Sequence, residues 1–339
     1  MTPDPILLVG GAGIVGRQTA KYLRHSYPDV PLLIGGRDLD KAQRMAREIG
    51  HAEAVTVDLA AADLGLGKRP ISAVAIYFTD TSSAALAFAQ ARKVPYLSIS
   101  PALYETGPEI AAYMHAPDAA PVVLGTEWLV GATTIPTLEF AKAFSRVDSI
   151  RLGALLDIQD EGGPAAFDDL ERQTQAIPAV QVRRKGAWIW RTGDDLKTTF
   201  LAADGIEMEA SALSPHDVVA LATATGAPNV EFNLAIGVSS SRRRGEPMST
   251  EILVELAGRD HDGQSLCTRH AVIHPEGQMP LTGLGVALVL ERLLGLDGGP
   301  ATPPGLYFPY QLLDSHRYFD RFQQAGGEIS TLAPTEIVE

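Results

Sequence analysis

The 339-residue chain has one cysteine, no long apolar run and no extended basic stretch. Lone Cys267 cannot close an internal disulfide, which excludes a disulfide-stapled secreted scaffold and makes a reducing, cytoplasmic location the expectation. No apolar segment approaches the roughly twenty residues of a membrane-spanning helix, and Met1-Thr-Pro-Asp-Pro lacks the basic and apolar signature of a secretory leader. A membrane partner is therefore not expected. Lysine and arginine number 28 against 41 aspartates and glutamates, a formal net charge of −13. That field repels a phosphate backbone, so nucleic acid is not an expected partner either. Internal repeats and low-complexity tracts are also missing.

What is present is an ordinary apolar fraction of 45% and enough length for two cores. Over residues 1–125 short apolar runs alternate with helical periodicity, the pattern of βα units and a parallel sheet. Ile6 to Gly10 reads as the first strand, Val15 to Arg24 as its helix, and Pro31 to Gly35 as the second strand. Asp38 is positioned to cap a helix running to Glu48. After Gly125 long alternating segments follow one another, which predicts antiparallel pairing: Ser149 to Ile158, Val180 to Trp190, Thr198 to Ala210, Val230 to Ser239, Thr250 to Leu256 and Leu266 to Ile273. Asp204-Gly205 and Asp262-Gly263 read as hairpin turns. Helices are expected from Pro215 to Ala224, with Ser214 as N-cap, from Leu284 to Leu294, and from Leu312 to Ala325. The expected fold class is α/β: an N-terminal Rossmann-type parallel-sheet domain over 1–125, and a second α+β domain over 126–304 built on a mostly antiparallel sheet. A closing segment, 305–339, is expected to return to the first domain.

Gly11-x-Gly13-x-x-Gly16 stands between the first strand and its helix, the context in which this spacing carries meaning. The first glycine suits a tight turn, the second lets a pyrophosphate approach the backbone, and the third lets helix and strand pack closely. The helix start then presents its amides, those of Ile14 and Val15 included, to an anion. A dinucleotide with a free 2′-hydroxyl calls for a carboxylate at the end of the second strand, but the sequence there is Ile34-Gly35-Gly36-Arg37. A guanidinium favours a 2′-phosphate, so the expected cofactor is NADP. Asp58, in "VTVDLA", is placed to reach the adenine edge or to cap the following turn.

These residues, with "GGRDLDKAQRMA" from Gly35, "LGTEWLVGATT" from Leu124, "TGLGVALVLERLLG" from Thr282 and "GLYFPYQLLDSHRYFDRFQQAGGEI" from Gly305, resemble the saccharopine dehydrogenase and saccharopine reductase-like superfamily. The resemblance runs along nearly the whole chain. It implies an NADP(H)-dependent oxidoreductase acting on a small molecule, with the second domain forming a homodimer interface. The implied reaction is reduction of an imine formed from an amine and a carbonyl compound, or oxidation of a secondary amine. Enoyl or carbonyl reduction is the alternative within the superfamily, and a non-catalytic NADP sensor or scaffold is the alternative of another class. The superfamily's junction often reads Gly-x-Asp-x-x-Pro-Gly-Asp, and this chain departs from it, with Glu127, Val130 and Ala132 where Asp, Pro and the second Asp would stand.

Hydride transfer needs a proton-handling group at the carboxyl ends of the strands. Tyr77 and Asp80, after the fourth strand, and Glu127, after the sixth, are the catalytic candidates, with Thr79 as a further cofactor contact. Tyr77 reads equally as a core aromatic and Glu127 as a capping acid. None of the nine tyrosines has a lysine four residues on, which argues against the short-chain dehydrogenase mechanism. Arg242-Arg243-Arg244 reads as a solvated charge cluster or a carboxylate clamp. His270 and His274 share a strand face but have no completing ligands, so no metal is expected.

Overall fold

The computed structural model describes residues 3–160, 162–163, 168–169, 171–172, 175 and 177–334. In chain order the first strands are β1 (Ile6–Val9), β2 (Leu32–Gly36), β3 (Ala52–Thr56), β4 (Ala73–Ile76), β5 (Tyr96–Ser98) and β6 (Pro121–Leu124). Then come β7 (Phe144–Asp157), β8 (Ala179–Arg184), β9 (Ala187–Thr192), β10 (Lys197–Leu201), β11 (Glu207–Leu213) and β12 (Asn229–Gly237). The last are β13 (Thr250–Asp260), β14 (Ser265–His274), β15 (Gly305–Tyr307) and β16 (Glu328–Leu332). The chain divides into two compact units, one of Met1–Thr126, Gly163–Asp169 and Thr282–Leu313, the other of Glu127–Gly162, Leu170–Leu281 and Asp314–Glu339.

The first unit is a parallel sheet of order β15-β6-β5-β4-β1-β2-β3. β1 and β4, Ile-Leu-Leu-Val and Ala-Val-Ala-Ile, are buried at every residue, as central strands covered on both faces must be. The helix after β1, Ile14–Ser26, buries Gly16, Thr19, Ala20 and Leu23, a stripe at helical spacing. In helix Leu39–Ile49 the stripe is Ala42, Met45, Ala46 and Ile49, and Asp38 caps the start by accepting from the Lys41 amide at 2.9 Å. From Thr282 onward the helix Gln278–Leu293 packs against helix Ile14–Ser26, where a Cβ on Gly283 would lie 2.5 Å from the Gln18 Cβ. Glu291, fully buried, accepts from the Tyr27 hydroxyl at 3.2 Å.

The second unit holds a sheet of order β10-β11-β12-β7-β13-β14-β16, with β8 on β12 and β9 on β8. Its pairings are antiparallel except that β12 runs parallel to β7 over nine residues, Asn229 to Gly237. Leu155, Phe200, Ala202, Ala235, Leu253 and Ala271 form a core cluster on it. Both expected hairpin turns are present, with φ of 83° at Gly205 and 79° at Gly263.

Four local readings are corrected. The expected single strand Val180 to Trp190 is the hairpin β8–β9, folded back at Lys185-Gly186, where φ is 51° and 80°. Helix His216–Thr225 takes Pro215 as N-cap, because the Ser214 hydroxyl donates to the Gln181 carbonyl at 3.0 Å instead. The expected helix Leu312 to Ala325 is two helices, Pro309–Leu312 and Ser315–Gln324, the second capped by Asp314. Within the closing segment, Gly305–Tyr307 pairs with β6 in the first sheet, whereas Glu328–Leu332 pairs with β14 in the second.

Candidate active site

The glycine loop sits at the carboxyl end of β1, the strand at which the sheet order reverses, the position where open α/β sheets bind ligands. The positive φ of the turn, 80°, falls on Gly10 rather than on Gly11. Gly11 serves close approach: a Cβ there would lie 2.7 Å from the Leu8 carbonyl oxygen. On Gly16 it would lie 2.4 Å from the Gly11 oxygen and 2.6 Å from the Gly11 Cα, so the helix rests on the turn. Around Gly13 only the Gly10 oxygen, at 3.2 Å, comes within 4 Å of such an atom. The first helical hydrogen bond runs from the Arg17 amide to the Gly13 carbonyl, and no side chain caps the start. The amides of Ile14, Val15 and Gly16 are thus left at the positive end of a thirteen-residue helix, a donor set suited to a pyrophosphate.

At the end of β2, Arg37 is exposed and makes no hydrogen bond or ion pair among the described residues. Beside it the Asp38 carboxylate is engaged by the Lys41 amide. After β3, Asp58 accepts from the Ala60 amide at 2.9 Å and so shapes the turn that follows.

After β4 the candidates separate. Tyr77 is buried beneath the glycine loop, and burial pushes its phenol pKa well up, with the Thr19 side chain pulling weakly the other way. It remains a protonated core phenol. Asp80 receives the Ser82 amide and hydroxyl on one oxygen and the Ala85 amide on the other, at 3.0, 2.5 and 2.9 Å. That carboxylate organises the start of helix Ala84–Arg92. Thr79 donates to Asp169 at 3.2 Å across 90 residues, and Ser100, after β5, bonds to the same carboxylate. Burial raises the Asp169 pKa while the two hydroxyls act against that rise. Near the end of β5, buried Glu109 accepts from Tyr96 at 3.1 Å and Ser98 at 3.0 Å, and desolvation raises its pKa. Sequence reasoning missed Asp169 and Glu109, since an acid is tied to these strands only by tertiary structure.

In the second unit Glu127 is 2% exposed and accepts from the Thr134 hydroxyl at 2.6 Å. Asp217, fully buried and also missed, accepts from the Trp128 amide and the Thr133 hydroxyl. Two of the three arginines are drawn out of solvent, and only Arg244 is an exposed charge. Arg242 bonds Asp157 at 2.7 Å, Arg243 grips both oxygens of Asp204 at 2.6 and 2.8 Å, and Arg244 pairs with Glu246. His270 stacks on Phe140 at 3.9 Å, and His274 bonds the Ala325 carbonyl at 3.0 Å. Among the described residues no His, Cys, Asp or Glu group could hold a metal ion, and no helix is long and apolar enough to cross a membrane.

No family model matches the sequence, and neither does any curated protein. Solved structures do match, along nearly the whole chain. The apo L-glutamate-forming saccharopine dehydrogenase of Saccharomyces cerevisiae gives a TM-score of 0.65 over 98% of this chain and 100% of its own, at 14% identity. Homospermidine synthase from Legionella pneumophila, solved in complex with NAD, gives 0.66 over 99% and 92%, at 9% identity. The chain has a saccharopine dehydrogenase-like fold. At these identities the likeness carries the architecture, and activity must be argued from the site. In this saccharopine dehydrogenase-like fold the glycine loop, Arg37, Thr79 and Asp169 all lie at the carboxyl edge of the parallel sheet.

Proposed function

We propose that this chain is an NADP(H)-dependent oxidoreductase that reduces an imine, formed from an amine and a carbonyl compound, or oxidises a secondary amine of an amino-acid-like substrate. The observation that carries the reading is the pairing of the open amides of Ile14 to Gly16 with the guanidinium of Arg37, unpaired among the described residues, at the end of β2. The backbone of Gly11, Gly13, Ile14, Val15 and Gly16 would hold the pyrophosphate, and Arg37 the 2′-phosphate. Engagement of Asp38 with the Lys41 amide favours NADP over NAD, because the neighbouring acid is turned to its own helix. Thr79 and Asp58 are assigned to the two ends of the cofactor. A saccharopine dehydrogenase and an NAD-bound homospermidine synthase among structures of like fold support an oxidoreductase.

When bound, the dinucleotide supplies or accepts a hydride. Among the three catalytic candidates Glu127 is assigned the proton, because Asp80 is committed to its helix and Tyr77 stays protonated in the core. The same reading takes the second unit as a homodimer interface and the location as cytoplasmic; light scattering on the purified 36.1 kDa chain measures the first. Calorimetry with NADPH and NADH, followed by NADPH oxidation across amine-plus-ketoacid, enone and ketone panels, tests the whole. Absence of heat with either dinucleotide overturns it. Turnover confined to enones or ketones makes the chain an enoyl or carbonyl reductase, and tight binding without turnover makes it a sensor.

A further inference from the structure

Asp169 reaches the carboxyl edge of the parallel sheet from far along the chain. It meets Thr79, at the start of the loop after β4, and Ser100, in the loop after β5. The sheet order places β1 between β2 and β4, with β2 and β3 on one side and β4 and β5 on the other. A pyrophosphate on the glycine loop with its adenosine phosphate on Arg37 sends the other half of the dinucleotide over β4 and β5. We propose that Asp169 faces the nicotinamide end of that dinucleotide and sets the preference of the site for the oxidised, positively charged form over the neutral reduced form. This rests on the dinucleotide reading above.

Three observations support the assignment. Two hydroxyl donors from separate loops converge on one carboxylate, which fixes its place between the strand ends. The side chain is only partly buried, so it is open to a ligand as well as bonded to the protein. Residues 77–83 and 99–106, which make up the loops, bring no lysine or arginine but carry Asp80 and Glu105, and neighbouring Asp168 adds a further negative charge. A carboxylate within a few ångströms of the ring attracts the cationic form and leaves the neutral one unaffected.

The test is the ratio of Kd for NADPH to Kd for NADP+, measured at mildly alkaline pH, where the carboxyl group is ionised. Asp169→Asn is expected to lower that ratio at least ~5-fold, through weaker binding of the oxidised form alone. Asp169→Glu keeps the ratio near the wild-type value, and Asp168→Asn changes it less than Asp169→Asn does. A ratio unchanged in a folded Asp169→Asn protein overturns the inference while leaving cofactor binding intact. If that variant does not fold, the double variant Thr79→Val, Ser100→Ala removes the two hydroxyl donors that position the carboxylate, and an unchanged ratio there overturns it equally. Wild-type protein that binds neither form removes the dinucleotide reading, and this inference with it.

Discussion

The main-chain amide of Trp128 donates to the Asp217 carboxylate at 2.6 Å, across 89 residues of sequence. Thr133 donates to the other oxygen. Between these two anchors Leu129, Val130 and Gly131 all have left-handed backbones, with φ of 52°, 57° and 94°. For the two non-glycine residues that conformation costs about 1–2 kcal/mol each. Asp217 therefore holds a strained loop that begins at Glu127.

Complete burial pushes the Asp217 pKa up to about 6, against the pull of the Thr133 hydroxyl and the Trp128 amide. The folded value lies above that of the unfolded chain, so the native state binds the proton more tightly. The stabilisation from this group is full below about pH 4 and is lost as pH rises through about 6, on the order of 3 kcal/mol in all. Asp217→Asn cannot titrate and leaves one donor without its acceptor, at about 1–3 kcal/mol. Urea unfolding should show the wild type ahead by its widest margin at about pH 4, with that margin shrinking by up to ~3 kcal/mol by about pH 7. A margin constant with pH would show that Asp217 has the same pKa in the folded and unfolded chain.

Gly16→Ala places a methyl group 2.4 to 2.7 Å from three main-chain atoms of Gly11, none of which can swing aside. The helix must move off the turn, at about 1–3 kcal/mol of stability. Dinucleotide Kd should rise at least ~10-fold, as the amides of Ile14 to Gly16 shift with the helix. Gly36→Ala is the contrast, since nothing lies within 4 Å of its Cβ position. Its unfolding free energy should stay within about 0.5 kcal/mol of wild type. Equal stability losses in the two would remove the close-packing role of Gly16.

What the sequence made legible was local. The spacing of Gly11, Gly13 and Gly16 and the cap at Asp38 each depend on residues within one turn of one another, so they can be read in a line. Gly10 was the exception, because the spacing points to Gly11 while the left-handed turn falls one residue earlier. Asp169, Glu109 and Asp217 look like surface acids until the fold delivers them to Thr79, Ser98 and Trp128. The Lys185-Gly186 turn lacks the Asn-Gly or Asp-Gly signal that marked the other hairpins. Arg242 and Arg243 read as solvated charge because the partners that absorb them, Asp157 and Asp204, are 85 and 39 residues away.

Arg37 makes no ion pair among the described residues, so replacing it leaves no orphaned carboxylate there. Arg37→Ser should therefore leave stability unchanged and act on ligand alone. Hydrogen bonds to a charged group are worth about 1.5–3 kcal/mol, so NADPH Kd should rise ~10-fold or more. NADH lacks the 2′-phosphate, and its Kd should move less than about threefold. Equal losses for the two cofactors in parallel titrations would remove the case for a phosphate on the ribose.

Glu127→Gln separates proton transfer from loop support. Glutamine has nearly the same shape and can still accept from the Thr134 hydroxyl, which approaches the Glu127 carboxylate at 2.6 Å. It cannot exchange a proton at neutral pH. If Glu127 moves the proton, kcat should fall by about 10²–10⁴-fold while dinucleotide Kd and the melting temperature stay near wild type. Thr134→Val removes the hydroxyl but keeps the acid, and its fall in kcat should be smaller. An unchanged kcat in Glu127→Gln, with substrate turnover established for the wild type, would leave Glu127 as a support for the loop that Asp217 holds.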